Sequence, residues 1–197
     1  MAERVCPFWV GFILVSPIRK LWQNPDKILR PYVKEGMQVL DIGCAMGFFS
    51  LPLARMVGRE GKVVCVDLQE KMIAYLQKRA SKADLSERIE TRMCTEKSLG
   101  LTGLEEKIDF ILASAVVHEV PEPDTFFSQV HNALSPNGQF LVLEPKGHVS
   151  LADFKNTMDI AQASGFEKIS NPPIKRCHTV LLEKNKESVL RNPGIME

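Results

Sequence analysis

A short turn between two glycines has the residue types of a ligand-binding element. It follows an apolar strand predicted over residues 38–42 and runs from Gly43 to Gly47, with Asp41 just before it. Glycine lets backbone amides approach a ligand closely, and a helix that follows such a turn presents its positive N-terminal end. The turn therefore predicts a site for an anionic ligand group beyond the end of the first strand.

Asp67 is the second residue whose position indicates ligand binding. It ends a β-branched strand predicted over residues 62–67 and lies 20 residues after Gly47. At this interval an acidic side chain reaches a ribose in nucleotide-binding βαβ units, and a carboxylate can accept two hydroxyl hydrogen bonds at once. We predict that Asp67 binds a ribose. The alternative is that it caps the helix that begins near Gln69.

The sequence of residues 39–47, VLDIGCAMG, resembles the first motif of the class I S-adenosylmethionine-dependent methyltransferases, D/E-x-G-x-G-x-G. It does not match the dinucleotide fingerprint G-x-G-x-x-G, because no glycine lies between Gly43 and Gly47. Ala45 stands at the middle glycine position of the family, and since a Cβ disfavours left-handed backbone we expect a slightly shifted ligand. The resemblance covers about residues 36–184. It implies S-adenosylmethionine as cofactor, with its methionine carboxylate at the turn and its ribose on Asp67.

The resemblance also implies how the adenine is bound. Leu68 and Met72 would flank the base, with core packing as the alternative for Met72. Where relatives have an Asp that binds the adenine amino group, this chain has Cys94, followed by Thr95. We therefore expect backbone groups to read the base. The expected cofactor-binding residues are Asp41, Gly43, Cys44, Ala45, Gly47, Asp67, Leu68, Met72, Cys94, Thr95 and Ser114.

The segment after the fourth strand, residues 114–119, is expected to lie between cofactor and acceptor, because ligands of open α/β sheets bind beyond the carboxyl ends of strands. His118 is the candidate general base, since its ordinary pKa lies near neutrality. The alternative is that it packs near the cofactor or caps the next helix. Glu144 faces the same crevice. No pattern supplies a convincing base constellation, which favours an acceptor that needs little deprotonation, such as a thiolate or a stabilised carbanion.

The elements that position these residues alternate between strand and helix from Gly36 onward. Helices of about ten residues between strands imply βαβ units and a mainly parallel sheet. No helix separates the last two strands, so they are predicted to be antiparallel neighbours. The predicted fold is an α/β, Rossmann-like sheet of seven strands, mostly parallel, with a C-terminal antiparallel hairpin and helices on both faces. Strands are expected over 38–42, 62–67, 89–94, 108–113, 140–144, 166–169 and 178–183, and helices over 48–57, 70–82, 151–164 and a stretch that ends at 134.

The chain is predicted to form one methyltransferase domain over residues 36–184, with an N-terminal arm over 1–35 and a loose tail over 185–197. The arm contains a short helix that begins at Asn24 and Pro25. In this family such arms often cover the cofactor. Phe8, Trp9 and Phe12 are therefore expected either to contribute to the acceptor pocket or to pack as ordinary core.

Composition limits the classes of partner. Lys and Arg number 25 against 24 Asp and Glu, a net charge of +1, so a generally basic surface for nucleic acid is not expected. The apolar run over residues 8–15 is too short to span a bilayer. The five cysteines are scattered, which argues against a zinc site or a disulfide framework and favours a reducing, cytoplasmic location. The expected acceptor is a small molecule.

Three other functions remain compatible with parts of the sequence. A nicotinamide dehydrogenase shares the sheet and the ribose carboxylate but has the glycine fingerprint that this chain lacks. A non-catalytic cofactor-binding or scaffold protein is suggested by Ala45 and Cys94. An arsenite-type methyltransferase would use a cluster of thiols, for which Cys6, Cys44 and Cys177 are the candidates.

Overall fold

A seven-stranded sheet forms the centre of the part of the chain described by the computed structural model, residues 7–9, 11–12, 15, 19 and 23–185. The strand order is β3-β2-β1-β4-β5-β7-β6. Strands β1 to β5 pair in parallel, and β7 runs antiparallel to both β5 and β6. The strands are β1 Gln38–Ile42, β2 Lys62–Asp67, β3 Ile89–Met93, β4 Ile108–Ser114, β5 Leu134–Pro145, β6 Phe166–Ser170 and β7 Cys177–Lys184.

Helices cover both faces of this sheet. They are α1 Pro25–Leu29, α2 Ser50–Met56, α3 Glu70–Lys82, α4 Pro123–Ala133 and α5 Leu151–Ala163, with 3-10 turns at Ser86–Arg88 and Val117–Glu119. Since strand side chains alternate between faces, the buried residues form two clusters. One joins the sheet to α1, α2 and α3, and the other joins it to α4 and α5. The fold class predicted from the sequence is confirmed.

Helix α2 and strand β5 begin at other residues than predicted, whereas the other boundaries agree with the predictions to within one residue. Helix α2 begins at Ser50 rather than two residues earlier, because the glycine turn continues through Phe49. Strand β5 begins at Leu134, where a helix end was predicted. Leu134 pairs with Ile108, and Gln139 pairs with Phe110. Residues 136–138, where a turn was predicted, therefore lie inside β5 at a shift in its pairing register with β4.

The N-terminal arm has the predicted short helix. The Asn24 side chain accepts a hydrogen bond from the Lys27 amide at 3.3 Å, and Pro25 occupies the first helical turn. This is the expected use of both residue types. The division of the chain into arm, domain and tail stays a prediction, and apart from Asn185 the predicted tail lies outside the described residues.

Among the residues that the structure describes, no helix has the length and apolar character needed to cross a membrane.

The second glycine of the turn is required by packing as well as by conformation. Gly47 has φ +82°, and a Cβ there would lie 2.3 Å from Leu76 Cδ1 inside the core. Gly103 has a similar φ of +83° but open space around its Cα. Both Gly→Ala changes introduce left-handed strain of about 1–2 kcal/mol. Only Gly47→Ala adds overpacking, of about 1–3 kcal/mol.

We therefore expect Gly47→Ala to lower the free energy of unfolding in urea by about 1–3 kcal/mol more than Gly103→Ala does. Gly103→Ala is the matched control, because it changes the same residue type at the same backbone conformation. Equal losses for the two variants would show that the contact with Leu76 does not constrain the turn.

Candidate active site

A cavity of about 1180 Å³ lies beyond the carboxyl ends of strands β1 to β5. Its walls come from Ile42, Asp67, Cys94, Ser114 and Pro145, which end or directly follow those five strands. Ligands of open parallel sheets bind at this edge. Of the site residues predicted from the sequence, all except Gly47 line the cavity, so the structure brings together residues that are far apart in the chain.

The glycine turn is bent so that it closes one wall of the cavity. Gly43 has φ +67°, and its amide donates to the Val66 carbonyl at 2.9 Å. A Cβ on Gly43 would lie 2.8 Å from Val116 Cγ2, so glycine is required there. Gly47 instead faces the core at Leu76. Gly47 thus shapes the turn on the side that faces the core. A direct contact between Gly47 and the cofactor stays a prediction.

Ala45 adopts the left-handed backbone that its side chain disfavours. Its φ is +46°, and its amide donates a 2.8 Å hydrogen bond to Asp67 Oδ2. Ala115, at the end of β4, also has a positive φ of +59° and lines the same cavity. Strained backbone of this kind costs about 1–3 kcal/mol and persists where surrounding contacts hold it. The turn therefore keeps a left-handed middle residue without a glycine at that position.

Asp67 uses both carboxylate oxygens within the protein. Oδ2 accepts from the Ala45 amide at 2.8 Å, and Oδ1 accepts from the Gln69 amide at 2.9 Å. Burial raises the pKa of Asp67, and the bonds from Gln69 and Ala45 act in the opposite direction. The bond from Gln69 stabilises the bend before α3, but Gln69 itself is the N-cap residue and the helix has no side-chain cap bond, so Asp67 is not the helix cap. Each oxygen still has a second lone pair, so these bonds leave acceptor capacity for hydroxyl groups in the cavity.

Asp41 is a second acid in the same wall, and it is 2% exposed. Ser50 Oγ donates to its Oδ2 at 2.5 Å. Burial raises the pKa of Asp41 to about 7, the Ser50 bond lowers it, Asp67 raises it and Arg19 lowers it. Two neighbouring buried carboxyls favour a ligand that carries positive charge.

Arg19 is a cavity residue that the sequence analysis missed. Its guanidinium carbon lies 4.2 Å from the centre of the Phe48 ring, and its Nε donates to Gln23 at 2.9 Å. Burial lowers the pKa of Arg19 to about 10, while Cys177 and Asp41 raise it. Arg19 therefore stays charged at neutral pH. An aromatic residue directly after the turn is the only sequence signal that could have suggested a stacked cation there.

The residues expected to surround the adenine line the part of the cavity next to β2 and β3. Met72 is buried, whereas Leu68 is 38% exposed. The Cys94 amide donates to the Asp67 carbonyl at 3.1 Å, and burial raises the pKa of its thiol to about 11, so the thiol is neutral. Thr95 Oγ1 accepts from the Ser98 amide at 3.0 Å. Recognition of the adenine by backbone and apolar groups stays a prediction.

His118 and Glu144 form a pair that the sequence analysis did not recognise. His118 Nδ1 lies 2.5 Å from Glu144 Oε2, and Glu144 Oε1 accepts from the Val117 amide at 2.8 Å. The hydrogen bond to Glu144 raises the pKa of His118, and partial burial acts in the opposite direction. Glu144 is 1% exposed, so the histidine is held by a buried carboxylate. The sequence showed no convincing base constellation, and this pair is the candidate for one.

The pairing depends on strand register. Ser114 at the end of β4 lies opposite Leu143 of β5, so the residues that follow each strand meet above the sheet. His118 and Glu144 are 26 residues apart in the chain. The signal in the sequence was that Glu144 ends one predicted strand and His118 follows another, but the adjacency of these two strands was not assigned there.

The N-terminal segment reaches the cavity through other residues than those singled out. Val15, Arg19 and Gln23 line it. Phe12 packs edge-on against Tyr75 of α3, with ring centres 5.2 Å apart, and Trp9 is 64% exposed. Phe8 and Phe12 therefore pack beside α3 rather than in the cavity.

Among the described residues, the thiols form no metal-binding cluster of the kind that an arsenite-type methyltransferase would use. Cys44 is buried in the core next to α2, while Cys177 lies at the cavity edge, where Gln23 Nε2 approaches its Sγ at 3.6 Å. Cys6 lies outside the described residues. Within the described ranges, no group of three His, Cys, Asp or Glu side chains could hold a metal ion.

Comparison with known proteins agrees with this geometry. The sequence profile of the methyltransferase domain family matches residues 33–190. A ubiquinone biosynthesis O-methyltransferase of Azorhizobium caulinodans is 32% identical over 136 residues, which cover 69% of this chain and 50% of that protein. A demethylmenaquinone methyltransferase of Lactobacillus johnsonii is 27% identical over 112 residues, 57% of this chain and 45% of that protein. The chain spans about half the length of these curated relatives.

A solved structure extends the likeness to the fold. The structure of a SAM-dependent methyltransferase from Aquifex aeolicus superposes with a TM-score of 0.81 and 26% identity, covering 90% of this chain and 98% of that one. S-adenosylmethionine is thus the cofactor that family and structural likeness both imply. Since the domain profile extends over most of the sequence and includes the glycine turn and Asp67, the chain belongs to the class I S-adenosylmethionine-dependent methyltransferases.

Proposed function

We propose that the protein transfers a methyl group from S-adenosylmethionine to a hydroxyl oxygen of a small molecule, with His118 as general base. The observation that carries this proposal is the 2.5 Å contact of His118 with buried Glu144 in the cavity formed by the glycine turn. A histidine held by a carboxylate suits the removal of a proton from a hydroxyl group. A thiolate or a stabilised carbanion would not need it.

The cofactor half of the cavity has the groups that S-adenosylmethionine requires. A Cβ at Gly43 would intrude on this wall, and buried Asp41 and Asp67 suit a ligand with positive charge. In our proposal Asp67 accepts from ribose hydroxyls, while Arg19 pairs with the carboxylate. The Gly43 and Ala45 amides already donate within the protein, so the turn contributes its shape to this wall rather than these donors. Bound there, the cofactor supplies a methyl group on an electrophilic sulfonium.

The protein's own contribution to the reaction is to position the acceptor and remove its proton. Glu144 occupies His118 Nδ1, which leaves Nε2 as the ring nitrogen that can accept the hydroxyl proton. The electron pair of that O–H bond would then form the new bond from oxygen to the methyl carbon, while the carbon–sulfur bond breaks and its electrons stay on sulfur, so that S-adenosylhomocysteine is the leaving group. Glu144 stabilises the imidazolium that results. Positioning of the two reactants can contribute about 7–11 kcal/mol and proton transfer about 10²–10⁴-fold.

The size of the cavity and the relatives support a small acceptor. About 1180 Å³ exceeds the space of about 300–1,000 Å³ that holds one drug-sized ligand, so cofactor and acceptor fit together. The name of the Azorhizobium relative describes O-methyl transfer in ubiquinone biosynthesis. A net charge of +1 gives no general support for nucleic acid as the acceptor. The scattered cysteines support a cytoplasmic location.

Replacing Asp67 tests the cofactor half of the proposal. We expect Asp67→Asn to weaken S-adenosylmethionine binding in calorimetry by about 10- to 100-fold, because hydrogen bonds to a charged group contribute about 1.5–3 kcal/mol each. The control is Asp109→Asn. Asp109 also accepts a backbone amide bond, from Gln38 at 2.8 Å, but at the opposite edge of the sheet. Unchanged affinity in folded Asp67→Asn would remove Asp67 from the cofactor site.

Replacing His118 or Glu144 tests whether His118 is the general base. His118→Ala should lower kcat for labelled-methyl transfer into a small-metabolite extract by about 10²–10⁴-fold without changing cofactor affinity. A general base must be neutral, so activity rises with pH through the raised pKa of His118. Glu144→Gln replaces the carboxylate that raises the pKa of His118 with a neutral amide, so the acidic limb of the pH profile should move to lower pH.

His131→Gln is the matched control for this test, because His131 lies on α4 against Phe166 and outside the cavity. It should retain the wild-type profile. Near-normal turnover in His118→Ala, or an acidic limb that does not move in Glu144→Gln, would show that this pair does not provide the base.

A further inference from the structure

Charged side chains are segregated along the cavity. Acidic residues follow β3 and β4, namely Glu96, Glu119 and Glu122, whereas the basic residues His148, Lys175 and Arg176 lie after β5 and before β7. Lys97, beside Glu96, is an exception. Arg19 also lines the cavity, where its charge interacts with Asp41 and Cys177.

The backbone holds the basic residues over the end of β5. Arg176 has a left-handed φ of +63°, and its carbonyl accepts from the Lys146 amide at 2.9 Å. In the next position Cys177 pairs with Pro145 across β5 and β7. A positive φ at a residue other than glycine is strained, and such strain gathers at ligand-binding segments. The loop before β7 is thus fixed against the strand that supplies Glu144.

The order of the strands indicates the direction in which an acceptor would extend along the sheet. Along the sheet, β2 and β1 carry the two buried acids, β4 and β5 carry His118 and Glu144, and β7 follows the basic loop. The His148 ring centre lies 6.2 Å from that of His118, which connects the basic end to the proposed base. A molecule with its hydroxyl at His118 and its body directed away from the cofactor would therefore extend toward Lys175 and Arg176.

We infer that the methyl acceptor is a small organic anion, whose hydroxyl lies at His118 and whose carboxylate or phosphate group is bound by Lys175 and Arg176. The inference rests on the proposed function and names the class of its acceptor. Val116, Val120 and Leu143 also line the cavity and provide apolar surface for a carbon skeleton. The acidic part of the cavity is complementary to the positive charge of the cofactor. The basic part is complementary to the negative charge of the acceptor.

Binding of probe compounds to the protein saturated with S-adenosylhomocysteine tests this inference by calorimetry. The probes are 3-hydroxyphenylacetate, 3-hydroxyphenyl phosphate and the neutral 3-hydroxyphenylacetamide, and the two anions distinguish a carboxylate from a phosphate acceptor. We expect at least one anion to bind tenfold or more tightly than the amide. In Lys175→Gln/Arg176→Gln, its affinity should fall about tenfold or more, while that of the amide should not change.

Lys155→Gln/Lys168→Gln is the matched control, because it removes the same charge at exposed positions outside the cavity. It should bind every probe as the wild type does. Equal affinity for anions and amide, or no binding of any probe while S-adenosylhomocysteine binds, overturns the inference and leaves the cofactor site intact. Weaker S-adenosylhomocysteine binding in Lys175→Gln/Arg176→Gln would show that Lys175 and Arg176 bind the cofactor instead. Failure of the wild type to bind S-adenosylhomocysteine contradicts the proposed function itself.

Discussion

The hydrogen bond from the Ala45 amide to Asp67, 2.8 Å long, joins the turn after β1 to the end of β2. It holds a left-handed residue that is not a glycine, and it fixes one oxygen of the acid expected to bind ribose. Asp41 lies beside this contact and is bound by Ser50 of α2. The position of the first cavity wall therefore depends on a backbone amide and two buried carboxyls, and the rest of the site is arranged relative to that wall.

Parallel pairing explains how the remaining groups reach the same cavity. Because β1, β2, β4 and β5 point in one direction, the residues after each strand meet at one edge of the sheet. The cofactor residues, the histidine pair and the basic loop then follow one another in strand order. The antiparallel β7 extends this row, since its first residue lies opposite the end of β5. A single sheet edge thus provides separate places for cofactor and acceptor.

Much of the fold followed from local patterns. Strand β1 was predicted with its observed limits and β7 to within a residue at each end, because β-branched and apolar runs interrupted by turn residues are typical of strands. The antiparallel end followed from the lack of a helix before β7. The irregular start of β5 was not predicted, because it depends on pairing with β4 rather than on its own residues.

The site was predicted where a residue's role is set by its own strand and turn, and missed where it depends on contacts between distant segments. Asp67 and the glycine turn belong to the first kind. The bond between His118 and Glu144 needs the register of β4 against β5, and the place of Arg19 needs the path of the N-terminal arm over Phe48. Ala45 shows the reverse, since local propensity disfavours a conformation that tertiary contacts impose.

The central claim is that the cavity beside Asp67 binds S-adenosylmethionine. The most direct measurement is a titration of wild-type protein with S-adenosylhomocysteine, followed by the backbone amide resonances. Micromolar binding with shifts concentrated at Gly43, Ala45, Asp67 and Gln69 is the predicted result. A folded protein whose resonances respond to neither S-adenosylhomocysteine nor S-adenosylmethionine would contradict the account.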